Sequence, residues 1–154
     1  MPRGGRGADA AKVGGRRRSR ELALQVLYQL EVTGEREWRD AFELFCGHFE
    51  APEPLKEFAL RLVGGVQQHR EEIDRLVAGC SENWRLERMS RVDRNILRQA
   101  VFELLWCDDI PPRVTLNEAI DLGKRFGTEE SGAFINGVLD NIYATRCTKP
   151  DPEV

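Results

Sequence analysis

The chain has 154 residues, of which 41% are apolar and 32% charged. That is enough apolar material to close a core in one domain or two small packed lobes, and too much for wholesale disorder. The net charge of −3 hides an asymmetry: residues 1–20 carry seven basic side chains against one acid, a net +6, while the remaining 134 residues carry 16 against 25, a net −9.

An acidic body with a basic start is the pattern of a polyanion-binding segment. No apolar run is long enough to span a bilayer, and Met1 to Gly15 lacks the apolar stretch of a secretory signal, so the cytoplasm is the expected location. Cys46, Cys80, Cys107 and Cys147 stand far apart, with no C-x-x-C pair, and His48 and His69 are not spaced to complete a zinc site. Reduced thiols, and neither metal nor cofactor, are expected.

Residues 1–15, rich in glycine and charge, read as a disordered arm. From Ser19, Leu22, Ala23, Val26, Leu27 and Leu30 recur at three- and four-residue steps, the mark of one helix face, and Gly34 stops that helix. A second helical stretch carries Trp38, Ala41, Phe42, Phe45 and Phe49 and ends at Ala51-Pro52-Glu53-Pro54. A third begins after Pro54 with Leu55, Phe58, Ala59, Leu62, Val63 and Val66. Gly64-Gly65 within it read as close-packing points, and Ile73, Leu76 and Val77 continue the stripe beyond a kink near His69.

A short polar connection, Gly79 to Met89, is anchored by Trp84 and Leu86. Ser90 then opens a helix with a capping-box pattern, Ser90-Arg91-Val92-Asp93, and the longest apolar stripe of the chain, from Val92 to Leu105. Pro111-Pro112 ends it. Thr115-Leu116-Asn117-Glu118 reads as a second, complete capping box, with a stop at Gly127. The last helix starts near Thr128 and lines up Phe134, Ile135, Val138, Leu139, Ile142 and Tyr143; the tail 147–154 is expected to fray. No segment alternates with period two. The expected fold is all-α, six or seven helices in two packed bundles, with lobes at about 16–80 and 84–146 of a domain 16–146.

Arg16-Arg17-Arg18-x-Arg20 is the sharpest feature. Arginine holds its charge at any working pH and forks two hydrogen bonds onto a phosphate. At the expected start of a helix the macrodipole disfavours fixed positive charge, so the run points to recruitment of an anion. The alternatives are a merely solvated basic terminus, or arginines neutralised by the acidic body. Gly123-Lys124-Arg125-Phe126-Gly127 sets two cations beside a ring, which suits single-stranded nucleic acid. By its residues alone it fits better a helix C-cap with Phe126 in the core. Acid pairs such as Glu129-Glu130 are adjacent and do not face each other on a helix, and no histidine is placed beside a nucleophile, so no catalytic residue is expected.

Three stretches together resemble the NusB family of bacterial transcription antitermination factors. They are Arg16 to Tyr28, Val92 to Ala100, and the run from Pro111 through Asn117-Glu118-Ala119-Ile120 and Lys124-Arg125-Phe126-Gly127 to Phe134-Ile135-Asn136-Gly137-Val138-Leu139-Asp140. The resemblance implies binding to the boxA element of nascent ribosomal RNA operon transcripts, jointly with the small-subunit ribosomal protein that serves as NusE, within the RNA polymerase antitermination complex. It implies an RNA surface of Arg16, Arg17, Arg18, Arg20, Lys124, Phe126, Glu130 and Phe134, and a NusE-facing surface of Tyr28, Glu87 and Asp93. Glu130 stands where relatives often carry aspartate. Some relatives self-associate, and no feature of the sequence decides for or against a homodimer. Two other readings fit the same residues: an RNA-recruiting lobe related to RNA methyltransferases, and a protein–protein adaptor.

Overall fold

A computed structural model describes residues 4–47, 52–81 and 85–146. They form seven α-helices: α1 (Gly4–Thr33), α2 (Trp38–Gly47), α3 (Glu53–Gln68), α4 (Arg70–Cys80), α5 (Arg91–Trp106), α6 (Pro112–Phe126) and α7 (Ser131–Arg146), with one 3-10 turn at Leu86–Arg88. No strand occurs among the described residues. None of the helices is long and apolar enough to cross a membrane. Trp84 and the tail 147–154 lie outside the described residues.

Helix α1 begins at Gly4, inside the stretch 1–15 expected to be irregular. Once the packed part of a helix exists, each added residue gains a hydrogen bond without repeating the cost of nucleation. One inference from sequence changes with it. Arg16 to Arg20 lie well inside α1, beyond the first turn where the macrodipole acts, so their placement is not a penalty of the helix end. At the other end the expectation holds: Gly34 takes φ +70° and its N–H donates to the Leu30 carbonyl, 2.9 Å away, closing the helix in the left-handed region that glycine enters without strain.

The chain divides into two compact units, Met1–Gly64 and Gly65–Val154. The lobes read from the sequence placed this division in the polar connection near 81–83; it falls instead inside α3, between two glycines. A Cβ on Gly64 would meet the Trp38 ring 2.8 Å away, and one on Gly65 would run into the Phe102 ring. Each glycine yields its space to an aromatic ring of its own unit, so this is close packing and not a chain break. The kink expected near His69 is the break between α3 and α4, where the imidazole stacks on Trp106 with ring centroids 4.1 Å apart.

In the first unit α1 packs with α2, burying Leu22, Ala23, Val26, Leu27 and Leu30 of the one and Phe42 and Cys46 of the other. Burial pushes the Cys46 thiol above its ordinary pKa. In the second unit α4, α6 and α7 pack on α5, whose residues from Arg94 to Leu104 are all buried. The apolar stripe accounts for only part of that helix. Its other faces carry Arg94, Asn95, Arg98, Gln99 and Glu103, which must bond inside the protein.

Three of them do so across elements, while Asn95 Nδ2 donates within α5 to the Arg91 carbonyl at 2.8 Å. Arg98 grips Asp74 of α4 with both arms of its fork, Nε to Oδ1 at 2.8 Å and Nη2 to Oδ2 at 3.1 Å. Arg94 Nη1 donates to the carbonyls of Leu86 (2.8 Å) and Met89 (3.3 Å), fastening the 3-10 turn to the start of α5. Burial, together with nearby Arg98, draws the Arg94 pKa below its ordinary value.

Glu103 Oε1 accepts from the Thr115 hydroxyl at 3.1 Å. This corrects the reading of Thr115 to Glu118 as a capping box. Helix α6 starts at Pro112, with Pro111 just ahead of it, and Thr115 lies inside it, 1% exposed. Proline is preorganised for the first helical position, where its missing N–H costs nothing, and so it sets the helix start ahead of the threonine. Ser90, by contrast, caps α5 as expected, its Oγ accepting from the Asp93 N–H at 3.1 Å.

Replacing Asp74 with alanine leaves the buried Arg98 guanidinium without its bidentate partner and is expected to cost roughly 3 kcal/mol in urea denaturation. Gly65→Ala forces a methyl into the Phe102 ring and is expected to destabilise by about 1–3 kcal/mol. Gly79→Ala, which meets nothing within 4 Å, is expected to stabilise by about 0.5–1 kcal/mol in the same measurement.

Candidate nucleic-acid and partner interface

In the first unit the arginine run is one rigid stretch of α1. Ser19 is buried, and its Oγ lies 2.7 Å from the Leu55 carbonyl and 2.8 Å from that of Gly15, the single hydroxyl proton serving both. Counting on at about 100° per residue, Arg17 then falls on the opposite side from Ser19 and Arg18 on its flank, and both are exposed. Arg16 is half-buried, its guanidinium 4.7 Å from the centroid of the Phe58 ring. Arg20 differs from the expectation: it is 3% exposed, with its guanidinium 5.3 Å from the same centroid. Its place in the i, i+4 register with Arg16 turns it onto the packed face, so it is a structural cation of this unit and not a surface one. Tyr28, on the same helix, is exposed.

In the second unit the decisive element is the turn between α6 and α7. Gly127 is extended, at φ −97° and ψ −155°, so its need for glycine is steric. A Cβ there would sit 2.8 Å from the Gly123 carbonyl and run into the Ser131 side chain. The last helix, expected to start near Thr128, begins at Ser131, and Thr128 lies in the turn before it. Its Oγ1 accepts from the Glu130 N–H at 3.3 Å, and Ser131 Oγ accepts from the Thr128 N–H at 2.8 Å, so the two side chains tie the turn to the start of α7 in the reciprocal manner of a capping box.

This turn sets the candidate RNA residues. Lys124 is exposed, and its aliphatic stem runs 3.2–3.3 Å from where a Cβ of Gly132 would be. Phe126 is 41% exposed, with the Arg125 guanidinium 5.0 Å from its ring centroid. The core placement favoured by sequence is therefore wrong for this ring. Phe126 shares the helical phase of buried Thr115, Ala119 and Leu122, but it is the last residue of α6, where the covering surface has run out. Glu130 is exposed and Phe134 half-buried.

Glu130 and Phe134 line a cleft of about 250 Å³ together with Arg88, Met89, Ser90, Asp93 and Thr128. Two residues assigned from sequence to RNA thus share a cleft with one assigned to the protein partner; Glu87, exposed in the 3-10 turn, directly precedes Arg88. Asp93 Oδ1 is buried and accepts no hydrogen bond among the described residues, so the capping box at Ser90 is satisfied in one direction only. Sequence reading missed Arg88, Met89 and Thr128 as cleft residues, because the fold brings them together through the Arg94 hydrogen bonds and the turn at Gly127, neither of which leaves a local signature. Among the described residues no cluster of histidine, cysteine or acid side chains could hold a metal ion.

A family model described as the NusB family matches residues 17–144. The chain belongs to the NusB family. The transcription antitermination protein NusB of Syntrophus aciditrophicus (strain SB) is 56% identical over 138 residues, covering 90% of this chain and 85% of the relative. That of Myxococcus xanthus is 50% identical over 145 residues, covering 90% of this chain and 100% of the relative. Among solved structures, T. maritima NusB matches with a TM-score of 0.79 at 39% identity, over 86% of this chain and 92% of that one. A chain from the crystal structure of antitermination factors NusB and NusE in complex with dsRNA matches with a TM-score of 0.77 at 30% identity, over 84% and 96%. The resemblance read from the three sequence stretches, and the all-α NusB fold it implied, are borne out.

If the α6–α7 turn holds the NusB-family surface in shape, Ser131→Ala, which leaves the Thr128 N–H without its acceptor, is expected to cost about 1–2 kcal/mol in thermal denaturation.

Proposed function

We propose that this protein is a non-catalytic, cytoplasmic transcription antitermination factor. It binds the boxA element of nascent ribosomal RNA operon transcripts together with the small-subunit ribosomal protein NusE, and joins the RNA polymerase antitermination complex. The observation that carries the reading is Phe126. An aromatic ring held 41% in solvent, beside exposed Lys124, has the exposure and the charged neighbourhood of a base-stacking platform. Family membership supports the same reading, and a related structure is titled as a complex with NusE and RNA.

The division of labour follows from chemistry. Arg17 and Arg18 supply sequence-independent phosphate contacts, with Arg16 beside them. Lys124 adds a cation near the stacking ring. Glu130 and Phe134 meet the RNA at the cleft, where the carboxylate accepts hydrogen bonds from base amino groups and so reads sequence rather than backbone. Tyr28, Glu87 and Asp93 face NusE, and the unsatisfied oxygen of Asp93 suits a donor brought by that partner. The relatives matched are antitermination proteins spanned over 85–100% of their length, which favours this reading over a methyltransferase lobe.

The test is the affinity for a boxA RNA against a scrambled RNA, with and without the NusE-type protein, across a salt series. Arg17→Ala and Arg18→Ala are each expected to reduce the steepness of the log–log salt dependence by about 0.7. Phe126→Ala is expected to weaken binding by about 1–3 kcal/mol while leaving that slope unchanged. Equal affinity for both RNAs under every condition sinks the specific claim; binding of NusE alone, with no RNA bound, favours the adaptor reading.

A further inference from the structure

Arg16 and Arg20 stand one helical turn apart on α1, a spacing at which like charges repel. Both guanidinium groups nonetheless lie over one ring, 4.7 and 5.3 Å from the centroid of Phe58. That ring is 7% exposed, so its negative face acts where water screens it least. The residue between them in the helix, Ser19, is tied at 2.7 Å to the carbonyl of Leu55, three residues before Phe58 on α3. Two different kinds of contact therefore fix the rotation and register of the arginine run: a hydrogen bond at position 19 and a shared ring at positions 16 and 20.

We infer that Phe58 is a positioning residue for phosphate recognition. It holds Arg16 and Arg20 against α3, which fixes the direction in which Arg17 and Arg18 point and orders the Arg16 side chain before any RNA arrives. The inference rests on the RNA-binding reading given above. Phe58 is too buried to touch RNA and acts through the arginines alone. Preordering of this kind raises affinity by removing the entropy cost of immobilising long side chains on binding.

The test uses the full-length protein and a labelled boxA single-stranded RNA. Phe58→Leu keeps apolar bulk but removes the π face, and is expected to weaken RNA binding about 3- to 10-fold. Phe58→Tyr retains the ring and is expected to bind within about twofold of the natural protein. In an Arg16→Ala background the effect of Phe58→Leu is expected to shrink to below about twofold, because the two substitutions break the same contact. A purely structural role would instead lower the melting temperature and weaken binding equally with or without Arg16. Should Phe58→Leu fail to fold, fluorinating the ring at position 58 weakens its negative face while keeping its shape, and the same loss of affinity is expected. If the altered ring leaves binding unchanged while Arg16→Ala weakens it, the positioning role is overturned and the RNA reading stands. If Arg16→Ala, Arg17→Ala and Arg18→Ala all leave binding unchanged, the RNA role of this segment falls, and the role of Phe58 with it.

Discussion

A helix buried along its whole middle must find partners inside the protein for most of its polar groups, and α5 is such a helix. From Arg94 to Leu104 it is out of solvent, and five of those residues are polar or charged. Three of the five fix another element: Asp74 brings α4, the Leu86 and Met89 carbonyls bring the 3-10 turn, and Thr115 brings α6. Apolar packing drives the collapse, but it does not choose a register. The Arg98–Asp74 fork and the Glu103–Thr115 bond do, because a slip of one residue would bury an unpaired charge. The walls of the cleft at Asp93, Glu130 and Phe134 follow from the same bonds, since Arg94 seats the turn that delivers Arg88 and Met89.

The charge asymmetry of the chain is used differently in the two units. In the first, cations are ordered on a helix by a hydroxyl and a ring, so the positive surface is part of the fold and not a loose tail. In the second, a few cations at the end of α6 stand near acids and rings. The first arrangement suits attraction to any polyanion; on the function proposed above, the second would supply the hydrogen-bond acceptors and stacking faces that separate one RNA from another.

Much of this was legible from periodicity. The apolar steps of α1, α3, α5 and α7 set the helix count, the Ser90 cap and Gly34 set two boundaries, and the Gly64-Gly65 packing points were read correctly. What escaped depended on partners distant in sequence. Thr115 carries the pattern of a cap, yet it answers Glu103, twelve residues away, because Pro112 had already opened the helix. Phe126 has the helical phase of a core residue, and only the end of the covering surface exposes it. Arg20 looks like its neighbours in a run of arginines, but one helical turn from Arg16 it meets Phe58 and is buried. Periodicity tells which way a side chain points from its own axis and says nothing of where the facing surface stops.

The seam inside α3 carries a last consequence. Most proteins join compact units by a loop, whose length can drift because closing a longer loop costs little. Here the join is helical, and the two adjacent glycines answer to different rings. A Cβ at either position would press on a ring that the same unit has already packed, so each half of α3 is kept to bare backbone by its own core.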